Sequence, residues 1–345
     1  MADDGWYLKI MRIRLPTAFA AFLLLIGNLT AKPIHHYVYF AQDREKLRTT
    51  AAMLELKKFE GAQIAYSWRQ LEAGKDEYDF SMIREDLEFL RSKGKKLFIQ
   101  IQDVSFSEKY VPVPKYLLIR PEFNGGADRQ YMFKFIDHVE QNVTAAGWMA
   151  RRWDPAVRER FRLLLQALGK EFDGKIEGIN LAETAYDNGD TGKLFPKGFS
   201  FDAYRDGIIA NMKAMKDAFP HSTTLVYANF MPGEWLPKED AGHLRAVYKA
   251  AVEMGVGVGG PDLRLYWNAG LHGSYPLIKQ ASGKVRVGIA VQDGDYLNSD
   301  PGTGKAATVS DLIKFAKKDL RADYLFWCTE EPYFSRDLVS YLKQK

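Results

Sequence analysis

The side chains best suited to chemistry in this chain are carboxylates that follow short apolar runs. Asp103 follows KLFIQIQ and Glu183 closes IEGINLAE. Asp262 follows GVGVGG, Asp293 and Asp295 follow VRVGIAVQ, and Glu330-Glu331 follow DYLFWCT. A carboxyl group held partly dry has a raised pKa, so it stays protonated near neutral pH and can hand a proton to a leaving oxygen. Other chemistries lack their spacing. His35 and His36 are adjacent and point to opposite faces of a strand. His138, His221, His243 and His272 form no H-x-H or H-E-x-x-H pattern, so no metal is expected. No G-x-S-x-G elbow and no phosphate-binding glycine loop occurs, and no cofactor is expected. The single cysteine, Cys328, sits inside YLFWC and reads as a small buried hydrophobe; it excludes an intrachain disulfide.

These carboxylates need elements to bring them together. Eight apolar runs read as strands: 35–41, 61–68, 96–102, 176–183, 223–230, 255–260, 285–292 and 323–329. Between most of them lie segments with apolar residues at i, i+3 and i+4, such as PAVRERFRLLLQALGKEF, which read as amphipathic helices. Strands alternating with helices predict a parallel sheet covered on both faces. Eight such units predict a single-domain α/β fold, a (β/α)8 TIM barrel over residues 32–345. The segments after strands 3, 4 and 6 (103–154, 184–200 and 261–284) are long. In a barrel they lie on the C-terminal face, where active sites are built. The chain has no internal repeat and no low-complexity tract.

A resemblance enters at Trp68. The pattern W-x-x-L-E-x-G-x-x-x-Y-D-F over Trp68–Phe80, then a helix, a Lys-Gly turn and an apolar strand, resembles the second-to-third strand region of barrel glycosidases such as the family 42 β-galactosidases and their relatives. It covers about forty residues. In the clan of retaining glycosidases to which that family belongs, the acid/base glutamate ends strand four, and Glu183 stands at the matching position. The residue before it is Ala182, where the clan usually carries Asn; Asn180 lies three residues before. The clan's nucleophile ends strand seven, where this chain has Gln292, which is no nucleophile. Alternation puts Gly288, Ala290 and Gln292 on the inward face. The second catalytic carboxylate is therefore sought among Asp293, Glu331 and Asp262, in that order, with retention or inversion open. Trp327 resembles the tryptophan that floors the sugar subsite in barrel glycosidases. Trp68, Asp103, Asn180, Asn229, Tyr266, Gln292 and Tyr296 complete the expected substrate-binding set, with Trp235 and Trp267 on the same face.

The expected function is glycosidase action on an oligo- or polysaccharide. The alternative is a catalytically silent carbohydrate-binding barrel; a weaker third is a lyase or esterase. Of 345 residues, 48 are basic and 44 acidic, a net charge of +4 without a long basic run, so no nucleic-acid partner is expected. At the N-terminus, Lys9, Arg12 and Arg14 precede the short apolar stretch Thr17–Gly27, and Leu29-Thr30-Ala31 ends in a small residue. That is the signal-peptide pattern, with cleavage near Ala31 and Met11 as an alternative start. It predicts a secreted or periplasmic protein with no stable membrane insertion after cleavage.

Overall fold

Strand-to-helix alternation resolves into eight parallel strands that close on themselves. They are β1 (His35–Tyr39), β2 (Phe59–Ser67), β3 (Lys96–Gln102), β4 (Gly178–Leu181), β5 (Thr223–Tyr227), β6 (Gly257–Gly260), β7 (Val287–Val291) and β8 (Tyr324–Cys328). Each pairs with the next in chain order, and β8 pairs with β1. The expected (β/α)8 barrel is the observed fold. This computed structural model describes residues 33–136, 139–189, 191–292 and 294–344, with backbone alone over 133–136 and 139–142. The expected signal segment 1–31 and Asp293 lie outside the described residues.

Alternation along each strand sorts side chains into two cores. Tyr37, Phe98, Leu225, Tyr324 and Phe326 point inward and fill the barrel. Above them, toward the C-terminal mouth, is a polar layer. Gln63 Nε2 donates to Asn180 Oδ1 at 2.8 Å, and the Tyr39 hydroxyl donates to Gln100 Oε1 at 3.5 Å. Strands β6 and β7 contribute almost no inward volume: Gly259 pairs with Gly288. A Cβ on Gly288 would stand 2.6 Å from Leu225 Cδ1 and 3.0 Å from Phe326, so glycine here makes room for those side chains.

The outward faces, including Ile64, Ile99, Ile179, Ile289 and Leu325, pack under the helices. The helix Pro155–Phe172 shows why these segments start where they do. Asp154 caps it by accepting from the amides of Ala156 and Val157, and proline takes the first position, where no amide is needed. Its buried stripe includes Phe161, Leu164, Leu165, Leu168 and Phe172.

Two of the long segments are more ordered than expected. Residues after β3 form a three-stranded antiparallel sheet of 104–105, 127–136 and 139–150. The segment after β6 contains the helices Asn268–His272 and Ser274–Ala281, interrupted at Gly273. The Trp68–Phe80 motif proves to be a brace. Trp68 Nε1 donates to Glu72 Oε2 at 2.7 Å, the Tyr116 hydroxyl donates to Glu72 Oε1 at 2.9 Å, and Arg160 pairs with both Glu72 and Asp76. Trp68 is 0% exposed and packs on Phe161. It presents no surface to a sugar, so its expected substrate-binding role is corrected to a structural one.

Candidate active site

The strand periodicity of β5 leads into the site. Leu225 and Tyr227 face inward, and Asn229, two residues on, keeps that direction beyond the end of the ladder. Glu183 follows β4, the neighbouring strand. Asn229 Nδ2 donates to Glu183 Oε2 at 2.6 Å. Burial pushes the Glu183 carboxyl up to about 7; the Asn229 bond pulls against this, the nearby Asp262 charge adds to it, and Arg152 opposes it. Glu183 thus has the protonation behaviour of a general acid near neutral pH. Asn229 is itself buried, and its Oδ1 has no hydrogen-bond partner among the described residues.

The main chain around Glu183 is fixed from behind. Arg152, buried, grips Asp103 through two bonds, Nε to Oδ2 at 2.7 Å and a terminal nitrogen to Oδ1 at 2.5 Å. The same guanidinium donates to the Glu183 carbonyl at 2.9 Å and to the Tyr204 hydroxyl at 3.0 Å. Tyr204 in turn donates to the Thr184 carbonyl at 2.9 Å. Asp103 is therefore engaged by Arg152 and holds the acid's backbone, rather than facing the cleft as expected. Arg152 and Tyr204 were not foreseen; a pair 49 residues apart leaves no local pattern.

Among the described residues, the carboxylate whose charge acts on Glu183 is Asp262, two residues beyond β6. Burial raises both its carboxyl and that of Asp295, Asp295 to about 7 with the Asp262 charge adding to the shift. Both carboxyls thus resist ionisation in this setting. Arg264 offsets the remaining charge, with Nε 2.6 Å from Asp295 Oδ1 and a terminal nitrogen 3.3 Å from Asp262. Asp295 Oδ2 also accepts from the Leu263 and Gln292 amides, each at 3.0 Å. Asp295 therefore ties the loops after β6 and β7 together.

Other expected residues fall elsewhere. Glu331 is exposed and accepts from the Ser335 amide at 3.2 Å and its hydroxyl at 2.5 Å, stabilising the turn into Phe334–Val339. Its carboxylate is engaged there and does not join Glu183. Trp327 is 0% exposed and belongs to the outer core with Leu325, its Nε1 donating to His36 Nδ1 at 3.0 Å. It cannot floor a sugar subsite, because Tyr324 and Phe326 take the inward face of β8. Asn180 is fully buried in the barrel's polar layer, beneath the cleft. Tyr296 is buried and stacked on Tyr333, its ring centroid 5.3 Å away. Gln292 is half-buried just beyond β7, and Tyr266 is half-buried with its amide bonded to Asn298 Oδ1. Among the described residues, no group of three or more His, Cys, Asp or Glu side chains is gathered to hold a metal ion.

No protein-family model matches the chain, and no curated protein matches its sequence. Among solved structures it is similar to a psychrophilic glycoside hydrolase family 10 endo-β-1,4-xylanase. The TM-score is 0.50 at 13% identity, covering 85% of this chain and 86% of that one. Xylanase 10B from Thermotoga petrophila RKU-1, in complex with xylobiose, gives a TM-score of 0.49 at 11% identity, covering 86% of this chain and 82% of that one. At these identities the likeness is one of fold.

Proposed function

We propose that this barrel is a glycoside hydrolase in which Glu183 is the general acid and Asp262 the second carboxylate. One observation carries the reading. A half-buried carboxyl, held by Asn229 and raised to about 7, stands close enough to the Asp262 carboxyl to feel its charge. In the proposed reaction Glu183 protonates the glycosidic oxygen as it leaves. Asp262 then acts as the carboxylate that activates water or stabilises the sugar cation, with Asp295 and Arg264 holding it in place. The proposal extends to the glycosidase class rather than to family 42, because the Trp68–Phe80 residues behind that likeness form a brace. The signal-like segment 1–31 supports export to the periplasm or medium, with saccharide as the partner.

The solved barrel of like fold is by title an endo-β-1,4-xylanase, so soluble xylan heads the substrates to test, followed by barley β-glucan and galactan. Reducing-sugar release should fall at least about a hundredfold in Glu183→Gln and in Asp262→Asn. Unchanged turnover in Glu183→Gln would sink the acid assignment. A second reading rests on Gln292, which occupies the strand-seven position where a retaining enzyme of that clan carries its nucleophile. It is a barrel that binds saccharide without cleaving it, recognised by binding in the absence of turnover on all three polymers.

A further inference from the structure

The cleft lacks the strand-eight tryptophan platform, yet it carries a different aromatic surface one residue beyond Asn229. Phe230 and Trp235, both in the loop after β5, stack face to face with ring centroids 5.3 Å apart and planes 8° from parallel. Trp267, from the loop after β6, meets Phe230 edge-on at 5.6 Å, and the Arg264 guanidinium lies over Trp267 at 5.4 Å. Trp235 is 53% exposed, among the most exposed large apolar side chains described. A short backbone bridge between Trp235 and Glu239 fixes its main chain. One ring face is thus covered by Phe230, and the indole still offers wide exposed area in a set orientation. A small pocket beside this surface is lined in part by Phe230, Trp235 and Asn229, the residue that holds the Glu183 carboxyl.

An exposed indole held in place costs solvation and is not needed by the core, which is complete beneath it. A flat apolar face beside hydrogen-bonding groups matches the C–H face of a pyranose ring. We infer that Trp235, backed by Phe230 and Trp267, is a saccharide-stacking subsite on the β5–β6 side of the mouth, binding a sugar unit beyond the one held at Glu183. The occupant is a pyranose ring of a polymer chain. This deepens the proposed glycosidase reading by making the substrate longer than one sugar unit, and it rests on that reading for the position of the reacting bond alone.

Binding is separable from turnover. The Glu183→Gln protein should be retarded in native gels containing soluble xylan, barley β-glucan or galactan. Adding Trp235→Ala should weaken binding to the retarding polymer roughly tenfold, a change equivalent to about 1.4 kcal/mol. Trp235→Phe, which keeps a ring, should recover most of it. Thermal midpoints of the three proteins should agree, since the side chain is largely exposed. Retardation unchanged by Trp235→Ala, equal losses in the Ala and Phe variants, or no retardation of the parent by any of the three polymers would each overturn the subsite. Turnover of the protein with Glu183 intact is scored separately. Platform-dependent retardation without turnover defeats the hydrolase reading and leaves the subsite standing.

Discussion

At the scale of single residues, the proposed acid role and the stability of this fold pull in opposite directions at Glu183. Its carboxyl is raised to about 7 from an ordinary value near 4.5, chiefly by burial. A group raised in this way contributes its stability below its unfolded-state pKa and loses it as pH rises through the folded value. The native protein should therefore lose stability between about pH 4.5 and pH 7 at this site, on the order of 3 kcal/mol in all. Glu183→Gln removes that ionisation. Its advantage in denaturant midpoint over the parent should be small at pH 5 and large at pH 8, while its activity is lost. Equal midpoints at both pH values would show that Glu183 is not held dry. The same value fixes the alkaline limb of activity: turnover should decline as pH rises through about 7, where the acid gives up its proton.

At the scale of elements, the brace behind β2 can be separated from the chemistry. Glu72 is fully buried and joins Trp68, Tyr116 and Arg160 across three segments of chain. Arg160→Met leaves the Glu72 charge buried without its cation, which costs about 3–5 kcal/mol. Chemical denaturation should register that loss, while turnover per folded molecule stays near the parent's. A large fall in turnover at unchanged stability would return the motif to the active site. Elements were legible to different degrees for physical reasons. Strand positions follow from apolar runs and helices from i, i+3, i+4 spacing, so all eight barrel strands could be placed. The inward face of β7 could be read because Gly288, Ala290 and Gln292 contrast with Val287, Ile289 and Val291. In YLFWC both faces are apolar, and nothing local tells that Trp327 turns outward. Of the three carboxylates expected as partners of Glu183, Asp262 is the one among the described residues whose charge acts on it, and Arg264 bridges it to Asp295. That pairing spans 33 residues of sequence and has no periodic signature.

At the scale of the whole molecule, the barrel divides its labour by arc. Strands β1 to β5 and β8 supply the bulky and polar interior, while β6 and β7 supply glycines. The thin arc gives the wall its space, and the loops above it carry Asp262, Arg264 and Trp267. The interior is therefore a shared volume rather than a set of independent sites. Gly288→Ala alone should destabilise the protein by about 1–3 kcal/mol through overpacking against Leu225 and Phe326. The nearest obstruction is the end of the Leu225 side chain, not backbone. Leu225→Ala opens that same space, so the double variant should be more stable than the sum of the two single losses by about 0.5–3 kcal/mol. Strict additivity in a double-mutant cycle would show the two positions to be independent. In a lineage of such barrels, substitutions at 288 and 225 would then have to arrive together: the missing methyl on one strand and the extra methyls on the other are inherited as one quantity.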